Sequence, residues 1–331
     1  MPLPDDTLGR WWIELAGMNP NLVDDFRPCL VAFVAFDHGN KPGLAGTGFI
    51  IGTGENIALV ITAKHVLTEG VLNIQRPVPR YAPSAIFVPA SSLAPAIEKE
   101  KLRAMWLDGT RGEAMTIPHC SYNDVLDIAC CILLPQEITE TPFMFRGVIP
   151  LDTARPSVGD IVHTVSLDAM DVIDHAHSAP FSGPRPFTAS QRISIRRGLV
   201  TGVYPDGFRQ YRWPCFTTSI PVEPGMSGGF VYFPREAYTI SACGIVCADN
   251  SPSEARSNQM ISGESVIAYS WPALALSLPE RLPLPAPSYS LHEMMRKGAM
   301  PMAIGGIDHI EISNREPNGD CTIEYKMLQR P

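Results

Sequence analysis

The sequence has little charge. Asp, Glu, Lys and Arg make up 18% of its 331 residues, and the formal net charge is −8. It has no basic run and no basic patch interleaved with aromatics, so no nucleic-acid partner is expected. Nor does it contain an uninterrupted apolar stretch near the roughly 18 residues that a membrane-spanning helix needs. The start, Met1-Pro2-Leu3-Pro4-Asp5-Asp6, is acidic and lacks the basic opening and apolar core of a secretory leader. No membrane partner is expected, and no internal repeat is evident.

Metal-binding patterns are sparse as well. Cys243-x-x-x-Cys247 stands without a histidine pair or a second cysteine pair, so no metal is expected there. Asp168, Asp171, Asp174, His175 and His177 are ligand types, but the segment 168–190 reads as a long, irregular and mobile surface loop. No cofactor is called for. The cysteines are Cys29, Cys120, Cys130, Cys131, Cys215, Cys243, Cys247 and Cys321. Most sit in apolar runs, where a thiol behaves as a small hydrophobe. Cys130 and Cys131, adjacent in one run, are expected to point to opposite faces of a strand. Together with the missing leader, this reads as a reduced, cytoplasmic protein with free thiols.

What the chain does have is breakers and short apolar runs. Its 32 prolines and low charge fit many short strands joined by turns. Strands are predicted at 29–36, 45–52, 57–63, 71–75, 85–88, 102–107, 113–118 and 127–134. A second set is predicted at 161–166, 192–203, 215–220, 229–234, 240–247 and 265–270. Asp108-Gly109-Thr110-Arg111 reads as a hairpin turn. A short helix is predicted at Leu8–Leu15, a proline-rich linker at 278–288, and a terminal hairpin from 307–313 and 321–326 around Pro317-Asn318-Gly319-Asp320.

The segment Glu223-Pro224-Gly225-Met226-Ser227-Gly228-Gly229 holds a serine among glycines, ahead of the apolar run Phe230-Val231-Tyr232-Phe233. A nucleophilic serine needs an exposed hydroxyl and nearby backbone N–H groups to hold an oxyanion, and glycines permit that backbone shape. Upstream, Ile61-Thr62-Ala63-Lys64-His65-Val66 ends an apolar run in a histidine. Leu126-Asp127-Ile128-Ala129-Cys130 opens another with an aspartate. Asp124 is a rival acid without the Ile-Ala continuation. Singly, these are an ordinary histidine, a turn aspartate and a turn serine. In this order they resemble the trypsin-like serine peptidases, which carry T-A-x-H, D-[IV]-A and G-x-S-G-G in sequence.

Gly46-Thr47-Gly48-Phe49-Ile50-Ile51, Val158-Gly159-Asp160 and Gly244-Ile245-Val246-Cys247 resemble further segments of the family, nearest to the HtrA-type bacterial branch without a PDZ domain. The resemblance covers roughly residues 28 to 280. It implies an all-β fold of two antiparallel six-stranded barrels. Its units are an N-terminal helical segment (1–27), a first barrel carrying His65 and Asp127 (28–150), a second carrying Ser227 (151–280), and a linker with a C-terminal hairpin (281–331).

It also implies a serine endopeptidase acting on a protein or peptide. Ser227 would be the nucleophile, His65 the base and Asp127 the orienting acid, with the N–H groups of Gly225 and Ser227 as the oxyanion hole. Pro221, Cys247, Ala248 and Asp249 would line the substrate. Pro221 at the pocket base has no carboxylate, so an uncharged, small or medium apolar residue before the scissile bond is expected, with Glu223 and Asp249 as nearby charges. Met226 stands where secreted relatives have an aspartate that pairs with a freshly cut N-terminus, so that activation route is not expected. Two other functions stay open: a silent or gated protein of this fold used as a binding scaffold, and an esterase.

Overall fold

Apolar runs rich in β-branched and aromatic residues, cut by glycine and proline, make strands rather than helices. The computed structural model describes residues 12–15, 20–37, 41–68, 81–82, 85–88, 97, 101–108, 111–123, 126–136, 142–174, 187–208, 211, 213–234, 240–249, 265–280, 282, 288–314 and 321–326. The chain begins with β1 (Trp12–Glu14), helix α1 (Pro20–Phe26), β2 (Leu30–Phe36), β3 (Pro42–Gly54), β4 (Ile57–Ala63) and the short helix α2 (Lys64–Thr68). β5 (Tyr81–Ala82), β6 (Ala85–Val88), β7 (Leu102–Asp108), β8 (Arg111–Asn123) and β9 (Ile128–Pro135) follow. The second half holds β10 (Ile161–Asp174), β11 (Phe187–Tyr204), β12 (Cys215–Thr218), β13 (Phe230–Tyr232), β14 (Gly244–Asp249) and β15 (Ser265–Tyr269). The C-terminal part adds β16 (Ser277–Pro279), β17 (Ser288–Ser290), helix α3 (Leu291–Arg296), β18 (Ile310–Ser313) and β19 (Cys321–Tyr325).

Antiparallel pairing closes β2-β3-β4-β9-β8-β7 into a first barrel. A second runs β11-β10-β13-β14-β15-β12 and closes where β12 returns to β11. The fold is therefore all-β, with two six-stranded antiparallel barrels. β11 spans 18 residues, long enough to hold β12 along 200–204 and β1 along 196–198.

The two faces of the first barrel's strands have different fates. Val31, Phe33, Ile50, Val60, Trp106 and Cys131 fill its interior. Ala32, Val34, Phe49, Ile51, Ile61 and Cys130 face a second cluster, shared with Val165, Phe230 and Ile245 of the second barrel. This period-two split fuses the barrels through one apolar seam. It also sends Cys130 and Cys131 to opposite faces. All eight cysteines are buried free thiols.

Four expectations need correction. Trp12–Glu14 is not helical; it pairs as β1 with the open edge of β11, and the helix of the N-terminal segment is α1. An unpaired strand edge nearby outweighs local propensity. The segment 168–190 is not an irregular loop at its ends, because β10 and β11 stay paired out to Asp174 and Phe187. Asp168 is the extra residue of a bulge there, between Leu167 and Ala169. The linker 278–288 has ends that pair as β16 and β17. The strand at 85–88 is not a barrel strand; β6 joins β5 and the terminal hairpin in a separate sheet ordered β18-β19-β6-β5. For β1 and β6 the partner is distant in sequence and leaves no local pattern. The predicted strand 71–75, the tip of the 108–111 turn, His175, His177, Asp124 and Pro317–Asp320 lie outside the described residues.

Buried histidines lead one to expect an acid-sensitive fold, with His163 the most strongly shifted. His163 on β10 is 7% exposed and stacks on Tyr232, with ring centroids 4.9 Å apart. Burial first, and the charge of Arg197 second, lower its pKa to about 4. Its neutral form is the one the fold favours. That stability is fully present above the unfolded value of about 6.5 and is lost as pH falls towards the folded value. Burial likewise lowers His119, His292 and His309. The melting temperature is expected to hold above about pH 6.5 and to fall steadily below it. Calorimetry over a pH series should find a shallower fall for His163→Phe. The same slope in both proteins would acquit His163.

Candidate active site

The site begins where strands of the first barrel stop. β4 ends at Ala63, and α2 carries His65 in its first turn, where backbone N–H groups have no intrahelical acceptor. Asp127 supplies one from the head of β9. Its Oδ1 accepts the His65 backbone N–H at 2.9 Å, and its Oδ2 lies 2.7 Å from His65 Nδ1. One carboxylate thus fixes both the main chain and the ring of the histidine, with Nε2 on the opposite edge. Asp127 adopts φ +53°, a left-handed conformation that aspartate tolerates better than most residues. The His65 side chain is 43% exposed and that of Asp127 only 16%, so the pair has a solvent side and a protein side.

The protein side reaches the second barrel. The Asp127 carbonyl accepts the Lys64 N–H at 2.9 Å and faces the Cys247 thiol at 3.9 Å. Burial, then the charge of Asp127, push the Cys247 thiol well above its ordinary pKa. It stays a neutral thiol, a weak donor rather than a nucleophile. Cys247 is the extra residue of a bulge in β14, ahead of Ala248 and Asp249, which pair with Val266 and Ser265.

The turn carrying Ser227 lies between β12 and β13, and its N–H groups can be followed one by one. Glu223 N–H points at the Met226 sulfur at 3.2 Å, and Pro224 has none. Met226 donates to the Glu223 carbonyl at 3.1 Å, Gly228 to Val246 at 2.7 Å and Gly229 to Met226 at 3.0 Å. Gly225 and Ser227 are left, and their N–H groups meet no acceptor among the described residues. Gly225 has φ +95°, open to glycine and strained for most other residues. Unpaired backbone donors close together in one turn are the raw material of an anion-binding nest.

The same turn is tied to the first barrel. Ser227 accepts the Thr47 N–H at 2.7 Å. Thr47 precedes Gly48, which pairs with Thr62 on the strand that delivers His65. Beside Ser227 opens a cavity of about 620 Å³ whose walls include Phe36, Gly43, Leu44, Pro224 and Gly225.

Sequence reasoning missed Arg196. Its side chain is 2% exposed, donates to the Pro221 carbonyl at 3.1 Å and pairs with Glu223 at 2.9 Å. Glu223 is therefore engaged and is no spare counter-charge. The signal was an arginine in the apolar run Ile193-Ser194-Ile195-Arg196. A buried cation needs a partner, and a search for it leads to the turn. Among the described residues no cluster of His, Cys, Asp and Glu could hold a metal, and no helix is long and apolar enough to cross a membrane.

No family model and no curated protein matches the chain. Among solved structures it is similar to Rv3671c of M. tuberculosis H37Rv, crystallised as a serine-to-alanine mutant in its inactive form. The identity is 14%, the match covers 81% of this chain and 91% of that one, and the TM-score is 0.41. A likeness that weak says nothing of chemistry.

Proposed function

We propose that the chain is a serine endopeptidase, with Ser227 as nucleophile, His65 as base and Asp127 as orienting acid. The observation that carries this reading is the pairing of two independent features: the Asp127–His65 hydrogen bonds, and the unpaired N–H groups of Gly225 and Ser227 in a turn whose other donors are used. Ser227 Oγ attacks the substrate carbonyl as His65 Nε2 takes its proton, and Asp127 stabilises the imidazolium that forms. The Gly225 and Ser227 N–H groups hold the oxyanion. His65 then gives its proton to the leaving amine, and a water activated by the same base hydrolyses the acyl-enzyme.

The substrate side follows from charge and space. The Arg196 guanidinium at the Pro221 carbonyl and its pairing with Glu223 disfavour a lysine or arginine before the scissile bond, and an uncharged, small or medium residue is the fit. The eight free thiols support a reducing compartment such as the cytoplasm. The deciding experiment labels wild type and Ser227→Ala with a fluorophosphonate probe, then profiles wild type on a diversified peptide library. Labelling of wild type alone supports the reading. No labelling of wild type would overturn it in favour of a silent scaffold.

The cavity beside Ser227 is the place for residues on the leaving-group side. A methyl built on Gly43 meets nothing within 4 Å, so Gly43→Trp starts from open space and is the variant chosen to fill the cavity. Its cleavage of long peptides is expected to fall about tenfold or more, the effect of losing one or two kcal/mol of binding, while fluorophosphonate labelling stays at the wild-type rate. Equal losses in both assays would show that the cavity is not a substrate subsite.

A further inference from the structure

The most heavily used residue around the nucleophile turn is one that the triad does not include. Thr47 is fully buried, and each of its polar atoms is committed. Its hydroxyl donates to the Gly225 carbonyl at 2.8 Å and accepts the Leu167 N–H at 2.9 Å. Its backbone N–H donates to the Ser227 carbonyl at 2.7 Å, and its carbonyl accepts the Thr62 hydroxyl at 2.6 Å. Leu167 lies on β10 of the second barrel, Thr47 and Thr62 on β3 and β4 of the first. One side chain therefore joins both barrels to the turn.

What Thr47 holds matters more than how many bonds it makes. It pins the carbonyls of Gly225 and Ser227, the two residues whose N–H groups are unpaired. The Gly225 carbonyl shares its peptide plane with the Met226 N–H and the Ser227 carbonyl with the Gly228 N–H, so the peptide that carries the Ser227 N–H lies between two fixed planes. With Gly225 at φ +95°, releasing its carbonyl would let the 225–226 peptide rotate and break the Met226-to-Glu223 bond, and the Gly225 and Ser227 N–H groups on either side of it would lose their fixed direction. Gly225 and Leu167 backbone groups buried at this spot also have no water to replace the lost hydroxyl, so they would seek new partners.

We propose that Thr47 is a positioning residue that holds the nucleophile turn in its anion-binding form from the opposite barrel. It does the work that an aspartate at the Met226 position and a cut N-terminus would otherwise do, so the site is ordered as soon as the barrels pack. Arg196 braces the other end of the turn through Pro221 and Glu223. The inference rests on the serine-peptidase reading for its rate consequence but not for its structural one.

The test compares wild type, Thr47→Val, which keeps the shape and removes the hydroxyl, and Thr47→Ser, which restores it. Two readouts separate the two levels. Amide hydrogen exchange of the fragment covering residues 221–229 is expected to quicken at least tenfold in Thr47→Val and to return to the wild-type rate in Thr47→Ser. Fluorophosphonate labelling and peptide hydrolysis are expected to lose 10- to 100-fold in maximal rate, with KM nearly unchanged and again with recovery in Thr47→Ser. That pattern marks an interaction made in the transition state.

If wild type fails to label, the peptidase reading falls, and hydrogen exchange alone still decides the clamp. If wild type labels but Thr47→Val exchanges and reacts as wild type does, the clamp is overturned and the peptidase reading stands. Should Thr47→Val not fold, Thr62→Val loosens the same threonine from behind and should shift both readouts in the same direction. No shift would refute the clamp.

Discussion

Ser227→Ala should abolish fluorophosphonate labelling and lower peptide hydrolysis by roughly ten thousand- to a million-fold, with an unchanged melting temperature. Ser227 lines a cavity and is only half-buried, so trimming its hydroxyl removes little packing. His65→Ala should fall nearly as far, and the Ser227→Ala/His65→Ala double variant no further, because nucleophile and base act as one unit. Asp127→Asn is the sharper test. Its carbonyl oxygen can still accept the His65 backbone N–H, so the histidine stays where it is. Its amide would instead present a donor to Nδ1, leaving the ring protonated at Nε2 and unable to take the serine proton. A loss of about ten thousand-fold with an intact fold is expected. Independent, additive losses across the three positions would sink the unit.

How much of this was legible in the sequence depends on how local each cause is. The barrel strands were readable because their apolar runs and the breakers between them lie within a few residues of each other, as in Leu30–Phe36 and Ile57–Ala63. The placement of His65 and Asp127 side by side was readable only through the order of short motifs, since one lies on α2 after β4 and the other just ahead of β9. What the sequence hid were the pairings made at a distance. β6 looks like a barrel strand until the terminal hairpin is seen to claim its edge, and Trp12–Glu14 looks helical until β11 offers an unpaired one. Arg196 was hidden for the same reason. A charged residue in an apolar strand announces that it needs a partner, but only the fold says that the partner is the turn before Ser227. Thr47 sits in a motif, Gly46-Thr47-Gly48, that reads as a strand signature, whereas its hydroxyl is spent on a turn far along the chain.

Gly228→Ala is expected to be the most damaging single methyl among the described glycines, with a loss of about 3 kcal/mol or more in stability and no measurable activity. Two causes add. Gly228 has φ +84°, and an L side chain there carries a penalty of roughly 1–2 kcal/mol. The new methyl would also overlap the Thr47 carbonyl oxygen and the Thr62 hydroxyl. Neither can yield, since the Thr62 hydroxyl donates to that same carbonyl and Thr62 is fully buried. The turn itself must move, and it is bonded to Val246 through the Gly228 N–H. Both the Ser227 hydroxyl and its N–H would go with it. Gly306→Ala separates the two causes. It has φ +75° and open space around the new methyl, so it should show the conformational penalty alone, about 1–2 kcal/mol. Denaturant unfolding of both variants measures the difference. If Gly228→Ala loses no more than Gly306→Ala and still labels with the fluorophosphonate, then β3 and β4 do not press on the nucleophile turn as closely as described, and the clamp at Thr47 would lose its footing too.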